Sequence, residues 1–362
     1  MTEHLKHIKI EGFKSIKALD LNMKSLNVLI GANGAGKSNF ISIFTFLRNL
    51  SRGKLQHLTK VHGGADNFFH FGNKNTSEIN LKVDVGKNSY AAILGQQPFD
   101  DEFIILEEYC GIFSSERKYM HNENRSESEL ADASKDPVVD YTKKYLDKCR
   151  VYHFHDTSTS AAFKKTKKLS SNDYLHEDAA NIAPFLYRLK NNYPYSYNNI
   201  VRTIRSIAPF FHDFYLEPSG EDEDQSILLK WLHEEYDEPF SAQQLSDGTA
   251  RFICMATLFL QPDTLAPKTV IIDEPELGLH PAAIEVLADI INACSQKNMQ
   301  IICSTQSVEL ANYFKPEDFI VVDYDKGVSS FQRLELDQVE HWLDDYGMGD
   351  IWAKNLIGGR PE

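Results

Sequence analysis

The loop in the segment VLIGANGAGKSNF, residues 28–40, is the feature that most constrains this chain. Its centre, Gly31 to Ser38, fits the pattern G-x4-G-K-[ST] in full. An apolar run precedes it, and apolar residues at helical spacing follow it. Glycines let successive backbone N–H groups point inward at phosphate oxygens, and the start of the following helix adds a favourable partial charge. The segment therefore predicts a phosphate-binding strand–loop–helix unit.

The positions of this loop have different expected roles. Lys37 is expected to reach the β- and γ-phosphates of ATP, and the Ser38 hydroxyl is expected to bind Mg²⁺. The other expected nucleotide-binding positions in and beside the loop are Gly31, Asn33, Gly34, Ala35, Gly36 and Asn39. The sequence thus predicts ATP and Mg²⁺ as the ligands of the loop.

A second motif, TVIIDEP at residues 269–275, supplies acidic groups. Its apolar residues predict a buried strand, which would deliver Asp273 rigidly to the Mg²⁺ shell. Glu274 follows directly and is expected to polarise the attacking water. Because the loop and this strand occur in one chain, the sequence predicts an ATP-hydrolysing site with Lys37 and Glu274 as catalytic residues.

Composition limits the class of protein. The chain has 362 residues, 42% of them hydrophobic and 25% charged, which is typical of a globular protein. No apolar run reaches transmembrane length, and the N-terminus lacks the apolar core of a signal peptide. Five scattered cysteines indicate reduced thiols. We therefore expect a cytoplasmic protein that does not contact a membrane.

Charge is unevenly distributed along the chain. The net charge of −14 argues against a protein that coats nucleic acid through its overall charge. The segment 143–168 nevertheless carries eight basic residues against two acids. These residues either form the solvated faces of a helix and a loop or contact the nucleic-acid backbone. They are Lys143, Lys144, Lys148, Arg150, Lys164, Lys165, Lys167 and Lys168.

Alternation of strands and helices in the last third of the chain predicts an α/β fold with a mainly parallel core sheet. The opening residues add an antiparallel β portion. We expect the core to comprise residues 1–156 and 241–362, with an inserted helical lobe and β-hairpin at 157–240. The polar stretch 114–137 predicts a surface loop, RVYHFHD at 150–156 a strand, and 170–212 mainly helix.

The string LSDGTARF, residues 245–252, lies at the mouth of an amphipathic helix ahead of the acidic strand. With it, the chain resembles the RecF/SMC-like branch of the ABC-type ATPases, and within that branch the stand-alone AAA-family predicted ATPases that carry LSDGT and DEPELGLHP. The similarity runs nearly end to end. It includes GFKS at 12–15, YHFHDTS at 152–158, STQS at 304–307 and the tail IWAKNLIGGRPE at 351–362.

This resemblance implies a P-loop ATPase head that forms a homodimer, with each ATP held between the loop of one copy and the LSDGT signature of the other. Ser246, Asp247 and Gly248 would then lie at the γ-phosphate of the second copy, although Asp247 is an acid that we expect to face the helix cap or the partner. Three further positions carry implied roles: His280 at the dimer seam, Gln306 as the catalytic switch residue, and Lys14 near the nucleotide.

The resemblance also implies a nucleotide-driven switch in DNA repair or anti-phage defence. Its partners would be DNA, larger assemblies of dimers, and a separate effector such as a Toprim-like nuclease. We expect hydrolysis to be slow and gated, because Gln306 cannot titrate as a histidine does. Two alternatives remain: an ATP-bound scaffold that restrains a toxic partner, and the ATPase subunit of a transporter. The run His153, His155 and Asp156 is either a metal site or a lobe junction near the nucleotide.

Overall fold

The computed structural model describes residues 4–98, 100–113, 115, 117–132, 136–221, 224–297 and 299–359. The chain divides into two units, each with its own core. The first unit comprises Met1–Val151, Lys268–Asp273 and Asn298–Glu362, and the second comprises Tyr152–Pro267 and Glu274–Lys297. The divisions predicted from the sequence have other bounds and stay a prediction.

The strands and helices of both units are numbered in chain order. The strands are β1 (Leu5–Phe13), β2 (Ile16–Asn22), β3 (Leu26–Ile30), β4 (Glu78–Val85), β5 (Asn88–Gln96), β6 (Phe103–Ile112), β7 (Lys118–Arg125), β8 (Arg150–Tyr152), β9 (Lys167–Lys168), β10 (Phe211–Tyr215), β11 (Ser226–Ile227), β12 (Lys230–His233), β13 (Tyr236–Ser241), β14 (Thr269–Asp273), β15 (Gln300–Thr305), β16 (Phe319–Asp325) and β17 (Val328–Arg333). The helices are α1 (Lys37–Ser51), α2 (Leu55–Val61), α3 (Pro137–Asp147), α4 (Ile182–Asn192), α5 (Pro194–Ile207), α6 (Asp247–Leu260), α7 (Pro281–Gln296), α8 (Val308–Ala311) and α9 (Met348–Ala353).

A mixed sheet in the first unit carries the predicted nucleotide motifs. Its order is β17-β16-β3-β15-β14-β8. Strands β16, β3, β15 and β14 run parallel, while β17 returns antiparallel to β16. Every residue of β3 and β15 is buried. Strands covered on both faces are continuously apolar, which is why these segments lack the alternation of an exposed sheet.

An antiparallel sheet completes the first unit, in the order β2-β1-β4-β5-β6-β7. Its strands alternate, so that residues such as Ile8, Ile10 and Leu81 face inward. These residues belong to one hydrophobic core together with Phe40 and Phe44 of α1 and the inward residues of the mixed sheet. Helix α1 is therefore fixed by packing, and with it the loop that leads into its first turn.

The second unit is built mainly from helices. Helix α6 packs against α4, α5 and α7, and ten of its fourteen residues are buried. Beside these helices lie the three-stranded sheet β10-β12-β13 and the pair β11-β9. Within the predicted β-hairpin, the segments DFYLEP (213–218) and SILLKWLHEEY (226–236) were expected to pair, and β10 does pair antiparallel with β12.

Three predictions of local structure were wrong in part. The stretch 114–137 is not a loop throughout, because residues Lys118–Arg125 form β7 and complete the edge of the antiparallel sheet; residues 114, 116 and 133–135 lie outside the described residues. Strand β8 ends at Tyr152, so the following histidines do not lie on a strand. The helical region begins at Ile182 rather than near residue 170.

Candidate nucleotide site

Three predicted positions meet at one edge of the mixed sheet. The loop follows Ile30 at the end of β3, Asp273 ends β14, and Gln306 follows β15. The parallel register pairs Asp273 with Ser304 and Thr305 with Ile30, so the three strands end level with one another. Ligands of open parallel sheets bind outside the carboxyl ends of the strands, and this edge is the expected place for a nucleotide.

The glycines of the loop are required by its path. Gly34 and Gly36 have φ angles of 78° and 113°, a region that side chains other than glycine rarely adopt. A Cβ atom at Gly36 would collide with the Ser329 side chain, and one at Gly31 would collide with the Val322 carbonyl oxygen. The loop backbone is thus held tightly against β16 and β17 of its own unit.

Lys37 is buried, with 5% of its surface exposed. Its ammonium group lies against the inside of the loop, because Nζ donates hydrogen bonds to the carbonyl oxygens of Gly31 at 2.6 Å and Ala32 at 2.9 Å. A buried ammonium group is tolerated when such partners surround it. The side chain therefore lies where the predicted phosphate site requires a positive charge.

Ser38 and Asp273, the two predicted magnesium ligands, are in direct contact. The Ser38 hydroxyl donates a hydrogen bond of 3.0 Å to Asp273 Oδ2. The other carboxylate oxygen, Oδ1, accepts a hydrogen bond from the Ser304 hydroxyl. A hydroxyl and a carboxylate are the hard oxygen donors that Mg²⁺ prefers, so these residues fit the predicted ion.

Asn39 and Lys14 support the loop from the side of β1 and β2. The Asn39 amide donates to Ser15 Oγ at 2.7 Å, and the Lys14 ammonium donates to Ser42 Oγ at 3.0 Å, one turn along α1 from Ser38. Burial lowers the pKa of Lys14 from its ordinary value. Ser15, which also accepts from Ser329 Oγ at 2.7 Å, is a contact that the sequence reasoning missed.

Glu274 stands out by its backbone conformation. It follows Asp273 directly and has a φ angle of 44°, in the left-handed region. A residue with a Cβ atom pays about 1–2 kcal/mol for this conformation, so the surrounding structure must enforce it. Strained residues of this kind concentrate at functional sites, which agrees with the catalytic role predicted for this carboxylate.

In the second unit, the signature residues form the start of α6. Ser246 is the N-cap, and its Oγ accepts a hydrogen bond of 3.2 Å from the Thr249 N–H. Asp247, the first residue of the helix, is exposed. An acid in the first turn is stabilised by the helix dipole, which explains how it is tolerated there. Gly248 lies against the DEPELGLHP segment, because a Cβ atom there would come within 2.7 Å of the Gly278 carbonyl oxygen.

Arg251 is a residue that the sequence reasoning missed. From α6 it donates to the Leu277 carbonyl oxygen at 2.6 Å and to the His155 carbonyl oxygen at 2.9 Å. It therefore links the signature helix to the DEPELGLHP segment and to the YHFHDTS segment within the second unit. The sequence feature that could have identified it is its position in the string LSDGTARF, one turn into the predicted helix.

His280 caps the next helix. Its Nδ1 accepts a hydrogen bond of 3.3 Å from the Ala282 N–H at the start of α7, and the residue is exposed. The rings of His153 and His155 lie 6.3 Å apart. In the described part of the chain, no group of three or more His, Cys, Asp or Glu side chains is arranged to hold a metal ion.

Several of the basic side chains counted in segment 143–168 are engaged within their own units. In the first unit, Lys143 donates to a backbone carbonyl oxygen and Lys144 pairs with Asp140 at 2.8 Å. In the second, Lys164 is buried and donates to the Thr157 carbonyl oxygen, while Lys168 pairs with Asp224 at 3.1 Å. These contacts favour a structural role for the engaged residues.

Comparison with known proteins identifies a family and a relative. Residues 26–312, well over half of the chain, match the family described as "AAA domain, putative AbiEii toxin, Type IV TA system". The Old nuclease of Escherichia phage P2 is 23% identical over 346 residues, an alignment that takes in 86% of this chain and 57% of that protein. The chain thus spans little more than half the length of this relative.

Solved structures agree on the fold. The structure described as "Crystal structure of the SmcHead bound to the C-winged helix domain of ScpA" has a TM-score of 0.59 and 17% identity, covering 93% of this chain and 99% of that one. A second Smc head, bound to the C-terminal domain of ScpA from Pyrococcus furiosus, has a TM-score of 0.57 and 16% identity, covering 94% and 99%. The predicted fold class, an SMC-like ATPase head, is confirmed. Among the described residues, no helix has the length and apolarity needed to cross a membrane.

Proposed function

Because the chain belongs to the family described as "AAA domain, putative AbiEii toxin, Type IV TA system", we propose that it binds and hydrolyses ATP as a homodimer. The observation that carries this proposal is the direct hydrogen bond of 3.0 Å between Ser38 of the loop and Asp273 of the acidic strand. Residues 235 positions apart in the chain meet as an oxygen pair beside a buried lysine. That combination is the arrangement a magnesium–triphosphate site requires.

The residues divide the chemistry between them. Backbone N–H groups of the loop and the Lys37 ammonium hold the phosphates, and Ser38 with Asp273 would hold Mg²⁺, which neutralises phosphate charge when bound. Glu274 orients the attacking water and accepts its proton. Gln306, the residue after β15, orients that water or a phosphate oxygen through its amide.

Dimerisation would complete the site with groups from a second copy. The exposed start of α6, with Ser246 and Gly248, presents backbone N–H groups and a helix N-terminus, which suit a γ-phosphate. His280, exposed at the start of α7, would lie at the seam between the copies. ATP would then join two copies, and hydrolysis would separate them, so that the nucleotide state sets the assembly state.

In the cell, this switch would serve anti-phage defence or DNA repair by controlling a separate effector such as a nuclease. The similarity to the Old nuclease supports the connection, and it covers 57% of that protein's length. DNA remains a candidate trigger through Lys148, Lys165 and Lys167. Binding through phosphate contacts would weaken steeply with salt, by about 0.9 log units per log unit of salt for each contact.

The test is ATP turnover by the purified chain, alone and with single-stranded or duplex DNA. Turnover with magnesium, slower than the median of about 10 s⁻¹ for enzymes, is the expected result, together with a dimer that forms on ATP. A chain that neither binds nor hydrolyses ATP would contradict the proposal. Stimulation by DNA would identify DNA as the trigger, whereas turnover indifferent to DNA would point to a protein partner.

A further inference from the structure

The end of the described chain runs back to the nucleotide loop. After α9, the segment reaches Gly359, which is buried. The Gly359 N–H donates a hydrogen bond of 2.6 Å to Asp323 Oδ1 on β16, and the Trp352 indole N–H donates one of 3.3 Å to the Gly359 carbonyl oxygen. Both backbone polar groups of this glycine are therefore fixed by hydrogen bonds.

Gly359 is fixed directly against the first residue of the loop. Its φ angle is 76°, and a Cβ atom built on it would lie 3.4 Å from Gly31 Cα and 3.1 Å from Val321 Cγ1. On another side, Gly31 is so close to the Val322 carbonyl oxygen that a Cβ atom would collide with it. The entrance of the loop thus lies between β16 and Gly359. Glycine is favoured at position 359 by its positive φ angle and is required at position 31 by the close Val322 carbonyl oxygen.

The other end of this segment is attached beside the switch position. Asn312 Oδ1 accepts hydrogen bonds from the Gly349 N–H at 2.7 Å and the Asp350 N–H at 3.3 Å. Asn312 immediately follows α8, whose N-cap is Ser307, the residue after Gln306. Residues 347–359 therefore connect the region that follows β15 to the region that follows β3.

We propose that residues 347–359, which we name the C-terminal strut, position the nucleotide loop and couple it to the segment that carries Gln306. Gly359, Trp352 and Asp323 are positioning residues, because they act on the phosphates through Gly31. The strut sets where the first N–H groups of the loop point, and a shift of this backbone changes phosphate affinity before it changes the fold. This inference rests on the proposed ATP site.

The experiment compares a glycine of the strut with a glycine outside it. In Gly359→Ala the methyl group is strained by the positive φ angle and crowded by Val321 Cγ1 at 3.1 Å and Trp352 Nε1 at 3.3 Å, so the backbone of residue 359 must shift beside Gly31. We expect the Kd for ATP to rise about tenfold with kcat at saturation nearly unchanged. Gly63→Ala, just after α2, is the matched control, since Gly63 has a similar φ angle of 79° and its Cβ atom would meet only the Asn67 side chain, which lies outside the strut. We expect it to share any loss in melting temperature and to show a much smaller change in Kd.

Two further variants remove the hydrogen bonds that hold Gly359, without adding atoms. Trp352→Phe deletes the indole donor and Asp323→Ala deletes the acceptor, and both should raise the Kd for ATP, while Asp323→Asn retains an acceptor and should restore it. Wild-type binding is measured first: no ATP binding there would overturn the proposed function itself. If the wild type binds and all variants bind equally well, or if Kd follows melting temperature across every variant, the strut proposal is wrong.

Discussion

The nucleotide loop and the signature segment differ in the kind of contact that holds each of them in place within its own unit. Around the loop, Lys37 is buried, Ser38 bonds to Asp273, and Gly36 packs on Ser329, all within the first unit. At the signature, Ser246 and Asp247 are exposed, and Ser246 bonds to its own helix through the Thr249 N–H. The loop is held by long-range contacts, whereas the exposed part of the signature is organised by local capping.

This difference indicates that the loop acts first, in ATP binding, and that the signature acts later, in dimerisation. A loop that its own unit already holds can bind phosphate without rearrangement, so it should dominate affinity for ATP. An exposed helix start contributes once another surface meets it, so it should dominate the association of two copies after ATP has bound. Variants of the two regions should therefore separate into a binding class and a dimerisation class.

Lys37→Ala should produce the largest effect, because it removes the positive charge from the binding half. We expect ATP turnover to fall by at least about a hundredfold, the range found when one transition-state donor is removed, and ATP binding to weaken as the loop loses two hydrogen bonds. Turnover and equilibrium binding are the measurements. Lys60→Ala, at an exposed lysine paired with Glu102, is the control. Normal turnover in Lys37→Ala would contradict the claim that the loop dominates ATP binding.

Glu274→Gln should separate binding from hydrolysis. Removing a general base typically costs about 10²–10⁴ in rate, while the amide leaves ATP binding intact. We therefore expect ATP-dependent dimers to accumulate, as measured by size-exclusion chromatography with light scattering. Glu285→Gln, an exposed position on α7, is the matched control.

The same variant discriminates a switch from a scaffold. Loss of cellular function in Glu274→Gln would favour a hydrolytic cycle. Retained function would instead favour a scaffold that binds ATP without using its hydrolysis.

Arg251 provides a test of the signature segment through its contacts within the second unit. Arg251→Ala loses two hydrogen bonds that hold the Leu277 and His155 carbonyl oxygens, and we expect ATP-dependent dimerisation to weaken about tenfold or more. Binding of ATP by the monomer should stay unchanged, since the loop is complete in the first unit. Arg251→Lys keeps the charge without the planar fork and should recover only part of the effect. If monomer binding weakens as much as dimerisation, the division into two classes fails.

The loop and its neighbours show what a sequence can predict. Helix α1 ends at Ser51, where the apolar periodicity of the sequence stops just before Gly53. The parallel strands were predicted because strands and helices alternate along the last third of the chain. The contact of Ser38 with Asp273 agrees with the shared Mg²⁺ role that the sequence assigned to both residues.

Features that the sequence could not predict depend on tertiary contacts. Arg251 reads as an ordinary helical arginine until the carbonyl oxygens of Leu277 and His155 are brought to it. Strand β7 is polar and without a clear period, because it lies at a sheet edge with one side toward solvent, and edge pairing, not hydrophobicity, makes it a strand. The approach of Gly359 to Gly31 brings together residues far apart in the sequence and leaves no local pattern.

Replacing the N-cap serines of two helices tests the comparison between loop and signature with the smallest expected effect. Ser246 caps α6 at the signature, and Ser307 caps α8 in the first unit, each accepting from the N–H three residues on at 3.2 and 3.1 Å. Replacing either with alanine should cost about 1 kcal/mol of stability, the usual value of a serine cap. If Ser246 also contacts the γ-phosphate of a second copy, Ser246→Ala should lower turnover by about fivefold, the equivalent of one ordinary hydrogen bond.

The loss of turnover should depend on protein concentration in Ser246→Ala and should not depend on it in Ser307→Ala. A γ-phosphate contact made across two copies makes the turnover defect of Ser246→Ala depend on dimer formation, so raising the protein concentration should recover part of it. A defect that acts through helix stability alone would be independent of concentration and would appear in both variants. Equal, concentration-independent losses in Ser246→Ala and Ser307→Ala would therefore remove the signature from the nucleotide site and leave the loop half to act alone.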